Sequence, residues 1–203
     1  MPKIVDHVQR RQDLADAALA LVASEGVSAV TTRGVAKKSG WTIGVINHYF
    51  KSRHDLLLAT LRRAGDIQGK VYKDLDEQNL DAMEKLHRLV ESYLPLDERR
   101  LALTRIFLFF YAQGAAEDAV RTEIAGFLAR WRHVVTSAMT TAQEQGLIEP
   151  SLDIETATLS LVGALDGLSF EAVLDPVVME AIARPGFADT CIDVAIGRTP
   201  TSR

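Results

Sequence analysis

The chain is poor in residues that mark several function classes. Its 203 residues hold a single cysteine, Cys191, so no internal disulfide can form, and no C-x-x-C or Cys/His cluster suggests zinc. Cys191 reads as a small apolar filler on the last helix. No stretch approaches 18 uninterrupted apolar residues. The longest run, residues 106–112, is too short to span a bilayer and follows the charged Glu98, Arg99, Arg100 and Arg105. Nothing at the N-terminus has the apolar core of a secretory signal, so a soluble cytoplasmic protein with no membrane partner is expected. Glycine-rich phosphate loops, nucleophile motifs and paired metal ligands are lacking too, and the five histidines (His7, His48, His54, His87, His133) are scattered. These absences argue against an enzyme, a metal site or a cofactor. Repeats, low-complexity segments and period-2 runs bounded by turn pairs are missing as well, which leaves an all-α fold.

What is present is a long chain with a divided charge. A chain of this length buries roughly 70% of the surface its unfolded form exposes, and so needs no staple. The net charge is −4. Residues 1–63 hold ten Lys/Arg against five Asp/Glu, a balance of +5, which leaves −9 for the remainder. A basic end suits phosphate, and an acidic body stays off it.

Helical periodicity organises the rest. Leu14, Ala17, Ala18, Leu21 and Val22 form a stripe over Gln12–Ser24, ended by Gly26. Two short helices are predicted near 32–39 and 42–49, the first capped by Thr32 and the second by Thr42. Ser52 with Asp55 resembles a capping box opening a helix that continues to about Asp76. Further helices are predicted over 81–94, from the Asp97 cap to Gly114, over 117–145, over 153–174, and near 177–183 and 186–196. Gly197–Arg203 is expected to be a disordered tail.

Residues 32–53 carry the most specific signal. Gly40 sits where the chain must turn sharply, Val45, Ile46 and Tyr49 give the second short helix an apolar stripe, and Ile43, Gly44, Asn47 and His48 point elsewhere. That is the layout of a helix-turn-helix reader of DNA. At fixed spacings Thr32, Val35, Ala36, Ser39, Gly40, Trp41, Thr42, Gly44, Ile46, Tyr49, Phe50, Ser52, Arg53 and Leu56 match the TetR family of transcriptional repressors, which the chain resembles over roughly its first 65 residues.

The resemblance implies a three-helix DNA-binding head (residues 1–53) and a helical ligand-binding and dimerisation bundle (54–203). It implies that Thr32 and Arg33 meet the DNA backbone and that Thr42, Ile43, Gly44, Asn47 and His48 lie on the recognition helix. Lys51 and Arg53 are placed within reach of phosphate. Asn47 suits adenine, because its amide can pair with N6 and N7, and Ile43 suits a thymine methyl. Phe50 reads as a core anchor. Tyr49 reads either as packing or as a hydroxyl shown to phosphate, His48 as a phosphate contact or solvated residue rather than a proton switch, and Trp41 as packing over the turn with an indole N–H that can also touch backbone phosphate.

The implied partners are a palindromic double-stranded operator, a second copy of the chain and a small-molecule inducer of unknown identity. Residues 154–174 mix Ala157, Gly163, Ala164 and Gly167 with large apolar side chains, a face suited to a partner helix; joined by the tail helix with Ala181, Ile182, Ile192 and Ala195, it could pair with its copy as a four-helix bundle, although such helices can also bury each other within one chain. Tyr93, Thr104, Phe107, Phe110, Tyr111, Gln113, Phe127, Trp131, Ser169 and Phe170 are candidates for an inducer pocket, with His133 as a further polar contact; plain core packing is the alternative for the aromatics. Asp166 is a carboxylate in an apolar segment and must find a partner. Arg105 or Arg132 is one possibility, a cationic inducer the other. The Asp166-Gly167-Leu168 run resembles the choline-responsive betaine-pathway repressor subgroup. Competing functions are a sequence-independent architectural DNA-binding protein and a repressor without an inducer.

Overall fold

The structure, a computed structural model, describes residues 2–199, with side chains from residue 7 onward. Among these residues there are ten α-helices and no strand: α1 (Pro2–Glu25), α2 (Thr32–Ser39), α3 (Ile43–Tyr49), α4 (Arg53–Asp76), α5 (Ala82–Tyr93), α6 (Glu98–Gly114), α7 (Asp118–Glu144), α8 (Ile154–Leu174), α9 (Pro176–Ile182) and α10 (Phe187–Ala195). The expected all-α architecture is therefore found. Helix α1 starts well before the expected Gln12, because Ile4, Val5 and Val8 in its first turns are not continued into the later stripe at Arg11 and Gln12.

Short polar side chains set most of the helix starts by accepting from otherwise unpaired backbone N–H groups. Thr42 caps α3 through Val45 N at 3.3 Å, and Ser52 caps α4 through Asp55 N at 3.1 Å. Asp81, Asp97 and Asp153 cap α5, α6 and α8. At α2 the cap is one residue earlier than expected. Thr31 is extended and accepts from Gly34 N at 3.0 Å, whereas Thr32 is already helical. The box at α4 also differs in detail, since Asp55 accepts from Lys51 N at 3.1 Å instead of Ser52 N. Between α2 and α3 the chain turns at Gly40, whose φ of 74° is open to glycine at no steric cost.

Two apolar cores hold the molecule together. The first joins Leu14, Leu21 and Val22 of α1, Val35 of α2, Ile46 of α3 and Phe50 to Leu56, Leu57 and Leu61 of α4 and Ile106 and Phe110 of α6. The second joins Leu86 and Leu89 of α5, Trp131, Val135 and Met139 of α7, Leu161 and Leu165 of α8 and Ile192 of α10. Each such side chain, fully buried, contributes about 1.5–3 kcal/mol relative to exposure. Helix α8 is long and apolar enough to cross a membrane by length and composition alone, but it packs on α6, α7, α9 and α10.

The expected disordered tail is corrected in part. The Arg198 N–H donates to Asp193 O at 2.8 Å, and its guanidinium reaches the Leu147 carbonyl. Residues 200–203 lie outside the described residues.

Candidate nucleic-acid interface and ligand cavity

The recognition helix stands clear of the head. Ile46 at its centre is fully buried while Thr42, Ile43, Gly44, Asn47 and His48 are exposed, and this follows from helical spacing around one inward face. Ile43, an apolar residue, leaves 43% of its surface in solvent, which a reader of thymine methyl groups would use. Arg33 and Lys51 are exposed beside it, and Thr32 is half-buried. Thr42, Gly44, Val45, His48 and Tyr49 line one open groove, which Arg10 and Trp41 complete.

Helix α1 supplies groups that periodicity did not find. Arg10 lies over the Trp41 ring at 4.1 Å, and His7 packs against Tyr49 with centroids 4.5 Å apart. Arg11 donates to Tyr49 O at 2.6 Å and to Asp55 at 2.8 Å, so α1 fixes the C-terminal end of α3 to the start of α4. Their basic character was the only sequence signal. Arg53 differs from expectation. Its Nε donates to Val30 O at 2.8 Å and a terminal nitrogen to Val27 O at 3.0 Å, so the guanidinium first staples the loop before α2.

The second site is a cavity of about 280 Å³ among α4, α5, α6 and α7. Of the expected pocket residues Tyr93, Phe107, Tyr111, Phe127 and Trp131 line it, with His133. Sequence reasoning missed Gly65, Gln68, Gly69 and Tyr72 of α4 and Arg130 of α7, which line it too; the small pair Gly65/Gly69, four residues apart, was the available signal. Phe127 sits directly on α4, where a Cβ at Gly65 would lie 1.9 Å from the ring. One turn nearer the head, Arg62 and Glu123 join the same two helices at 2.6 and 3.0 Å.

Five expected pocket residues and Asp166 fall elsewhere. Phe110 is fully buried in the first core, against Phe109 and His54, because its side of α6 faces the head. Gln113 lines neither this cavity nor its small neighbour. Thr104, Ser169 and Phe170 border that neighbour, a space of about 30 Å³, the volume of about one liquid water.

Asp166 lies behind the cavity wall. It accepts from the hydroxyls of Tyr93 and, at 3.2 Å, Tyr111. Its partner is thus neither expected arginine as a hydrogen-bond donor: Arg105 donates to Val22 O and Ala23 O, and Arg132 acts only through its charge. Burial pushes the Asp166 carboxyl above its usual range, a rise that the two hydroxyls and Arg132 only partly offset. Burial and the neighbouring Asp166 charge raise the Tyr93 hydroxyl well above its own usual value.

A free-standing recognition helix on a helical body with an apolar cavity defines a helix-turn-helix transcriptional regulator. Residues 14–60 match the family model for bacterial regulatory proteins of the tetR family, and residues 82–193 that for the C-terminal part of BetI-type transcriptional repressors. The chain belongs to the TetR family, with a BetI-type body. Among its relatives are the HTH-type transcriptional regulator PksA of Bacillus subtilis, 25% identical over 87% of this chain and 85% of that protein, and BetI of Rhizobium meliloti, 26% identical over 89% and 87%. A transcriptional regulator from Saccharomonospora viridis, solved in complex with choline, shares the fold at a TM-score of 0.75 and 23% identity, over 93% of this chain and 94% of that one.

Proposed function

We propose that this regulator is a homodimeric repressor that holds a palindromic operator and releases it when a small molecule enters the cavity. The course of α4 carries this reading. One helix contributes Leu56, Leu57 and Leu61 to the core of the head and Gly65, Gln68, Gly69 and Tyr72 to the cavity wall. A ligand that shifts the wall tilts the rod that seats the reader. To swing operator occupancy from 99:1 to 1:99, the ligand must favour the released form by about 10⁴-fold, or about 5.5 kcal/mol.

In this reading residues 1–53 bind DNA and residues 54–203 sense the ligand and dimerise. Thr32, Arg33 and Lys51 meet phosphate, Thr42, Ile43, Gly44, Asn47 and His48 face the major groove, Tyr49 borders it, and Arg53 positions the loop before α2. Two heads enter successive grooves about 34–36 Å apart. The exposed Gly163, Ala164 and Gly167 of α8, with Leu159 and Leu174 beside them, supply the dimer face. The choline complex of the Saccharomonospora relative supports a body that takes small molecules. The protein is read as a cytoplasmic binder of DNA rather than an enzyme.

Selection of duplexes from a random pool tests the reading. A palindromic consensus is expected, and Asn47→Ala is expected to cost about 1–3 kcal/mol on it while relaxing one position per half-site. A selected pool with no shared sequence would instead favour an architectural coat on DNA.

A further inference from the structure

The cavity offers N–H donors and ring edges, and several of its ring faces are already covered. Tyr93 and Tyr72 both stack on Trp131, with centroids 4.7 and 5.3 Å away and planes within 1° and 16°. The Arg130 guanidinium lies over Phe127 at 4.6 Å. An ammonium ligand is held by open π faces or by a free carboxylate. Here one face each of Tyr72, Tyr93 and Phe127 is already covered, by Trp131 or by a cation, and the nearby buried carboxylate, Asp166, already accepts from Tyr93 and Tyr111.

Two donors remain to be matched. The Trp131 indole N–H is buried, in a side chain only 3% exposed, and has no acceptor among the described residues. A buried, unpaired N–H carries a desolvation penalty that an acceptor on a ligand removes. Arg130 is exposed where the cavity meets solvent. Among the described residues it pairs with no carboxylate, and stacking on Phe127 fixes its plane while leaving its N–H edge open. That edge is the fork that takes a carboxylate through two parallel hydrogen bonds. The positive rims of the stacked rings favour the same sign of charge.

We infer that the effector is an amphiphilic carboxylate, seated with its anionic end at Arg130 and its apolar body against Phe107, Ile124 and Leu128. The cavity of about 280 Å³ corresponds to about nine liquid waters, which fits an apolar body on the order of ten non-hydrogen atoms. This inference rests on the reading of the cavity as the effector site.

Calorimetric titration of the full chain with octanoate, octanol, octyltrimethylammonium and choline tests the ligand class, and operator release is followed separately by anisotropy of a labelled duplex. Octanoate is expected to bind at least about tenfold more tightly than the other three, the factor that one charge-assisted contact supplies. Arg130→Ala is expected to remove that advantage and leave octanol unchanged, while Arg130→Glu moves the preference to octyltrimethylammonium. Tighter binding of either ammonium compound, no binding of octanoate, or an Arg130→Ala variant with unchanged octanoate affinity would overturn the inference. Octanoate that binds as expected and leaves the operator occupied sustains the ligand class and sinks the effector reading of the cavity.

Discussion

At the scale of single residues, the most consequential position is one with no side chain. Gly65 lets the Phe127 ring rest on the α4 backbone, and a methyl group there would sit 1.9 Å from the ring. The ring must then move toward the cavity it lines. Gly65→Ala is expected to reduce ligand affinity and to cost about 1–3 kcal/mol from overpacking, offset in part by about 1 kcal/mol of helix propensity. Denaturant unfolding and ligand titration of the variant check both; unchanged ligand affinity would show that the ring has another way out.

Asp166 makes a second residue-scale test, with a defined sign. Burial raises its folded pKa above the unfolded value, so the folded state holds the proton more tightly. Stability from this group is present in acid and is lost as pH rises through the raised pKa. Asp166→Asn removes the buried charge and keeps an acceptor for Tyr93. The variant should melt above the parent at neutral pH, and the gap should close on acidification. A gap that widens in acid would mean the carboxylate stabilises the fold. The Asp166 anomaly was legible in the sequence as a charge in an apolar run, but its tyrosine partners were not, because they come from α5 and α6 and no spacing within one helix encodes that meeting.

At the scale of elements, the caps were the most legible feature, since a cap is a local event between residues two or three apart. Thr42, Ser52 and Asp97 act where the sequence places them, Thr31 takes the place expected of Thr32, and Asp81 and Asp153 cap the helices expected to begin at those residues. The pocket was half-legible. Helical period picked out the faces of α6 and α7, but which face meets the head and which the cavity depends on helix rotation, so Phe110 and Gln113 lie off the cavity while Tyr111 lines it. Arg53 shows the same limit, because its carbonyl partners at Val27 and Val30 are more than twenty residues away. The contrast between Lys51 and Arg53 follows from this. Lys51→Ala should leave the fold intact and lower the salt slope of log K by about 0.9 for each phosphate that the lysine neutralises. Arg53→Ala unpins the loop and should lower the melting temperature of the protein. Melting curves with salt-dependent binding separate the two, and equal stability loss in both would reject the division of labour.

At the scale of the whole molecule, the proposed dimer rests on α8, which would then set the spacing of its two heads. It is strongly apolar, yet within one protomer Leu159 and Leu174 remain 53% and 77% exposed, and Gly163 and Gly167 are bare on its outer side. A Cβ built at Gly163 meets nothing within 4 Å, so a larger side chain fits the protomer without strain. Within the protomer Gly163→Leu should if anything stabilise α8 through helix propensity, so a loss of association reports on the contact face. It should overpack a close helix–helix contact by about 1–3 kcal/mol per site, felt twice in a symmetric pair. The exposed Glu155 at the start of α8 provides the control. Sedimentation is expected to show a folded monomer for Gly163→Leu and a dimer for Glu155→Ala, with operator binding lost only in the first, because one head covers one half-site. A Gly163→Leu variant that still sediments as a dimer would move the contact face to another part of the body, and with it the lever by which a ligand resets the spacing of the heads.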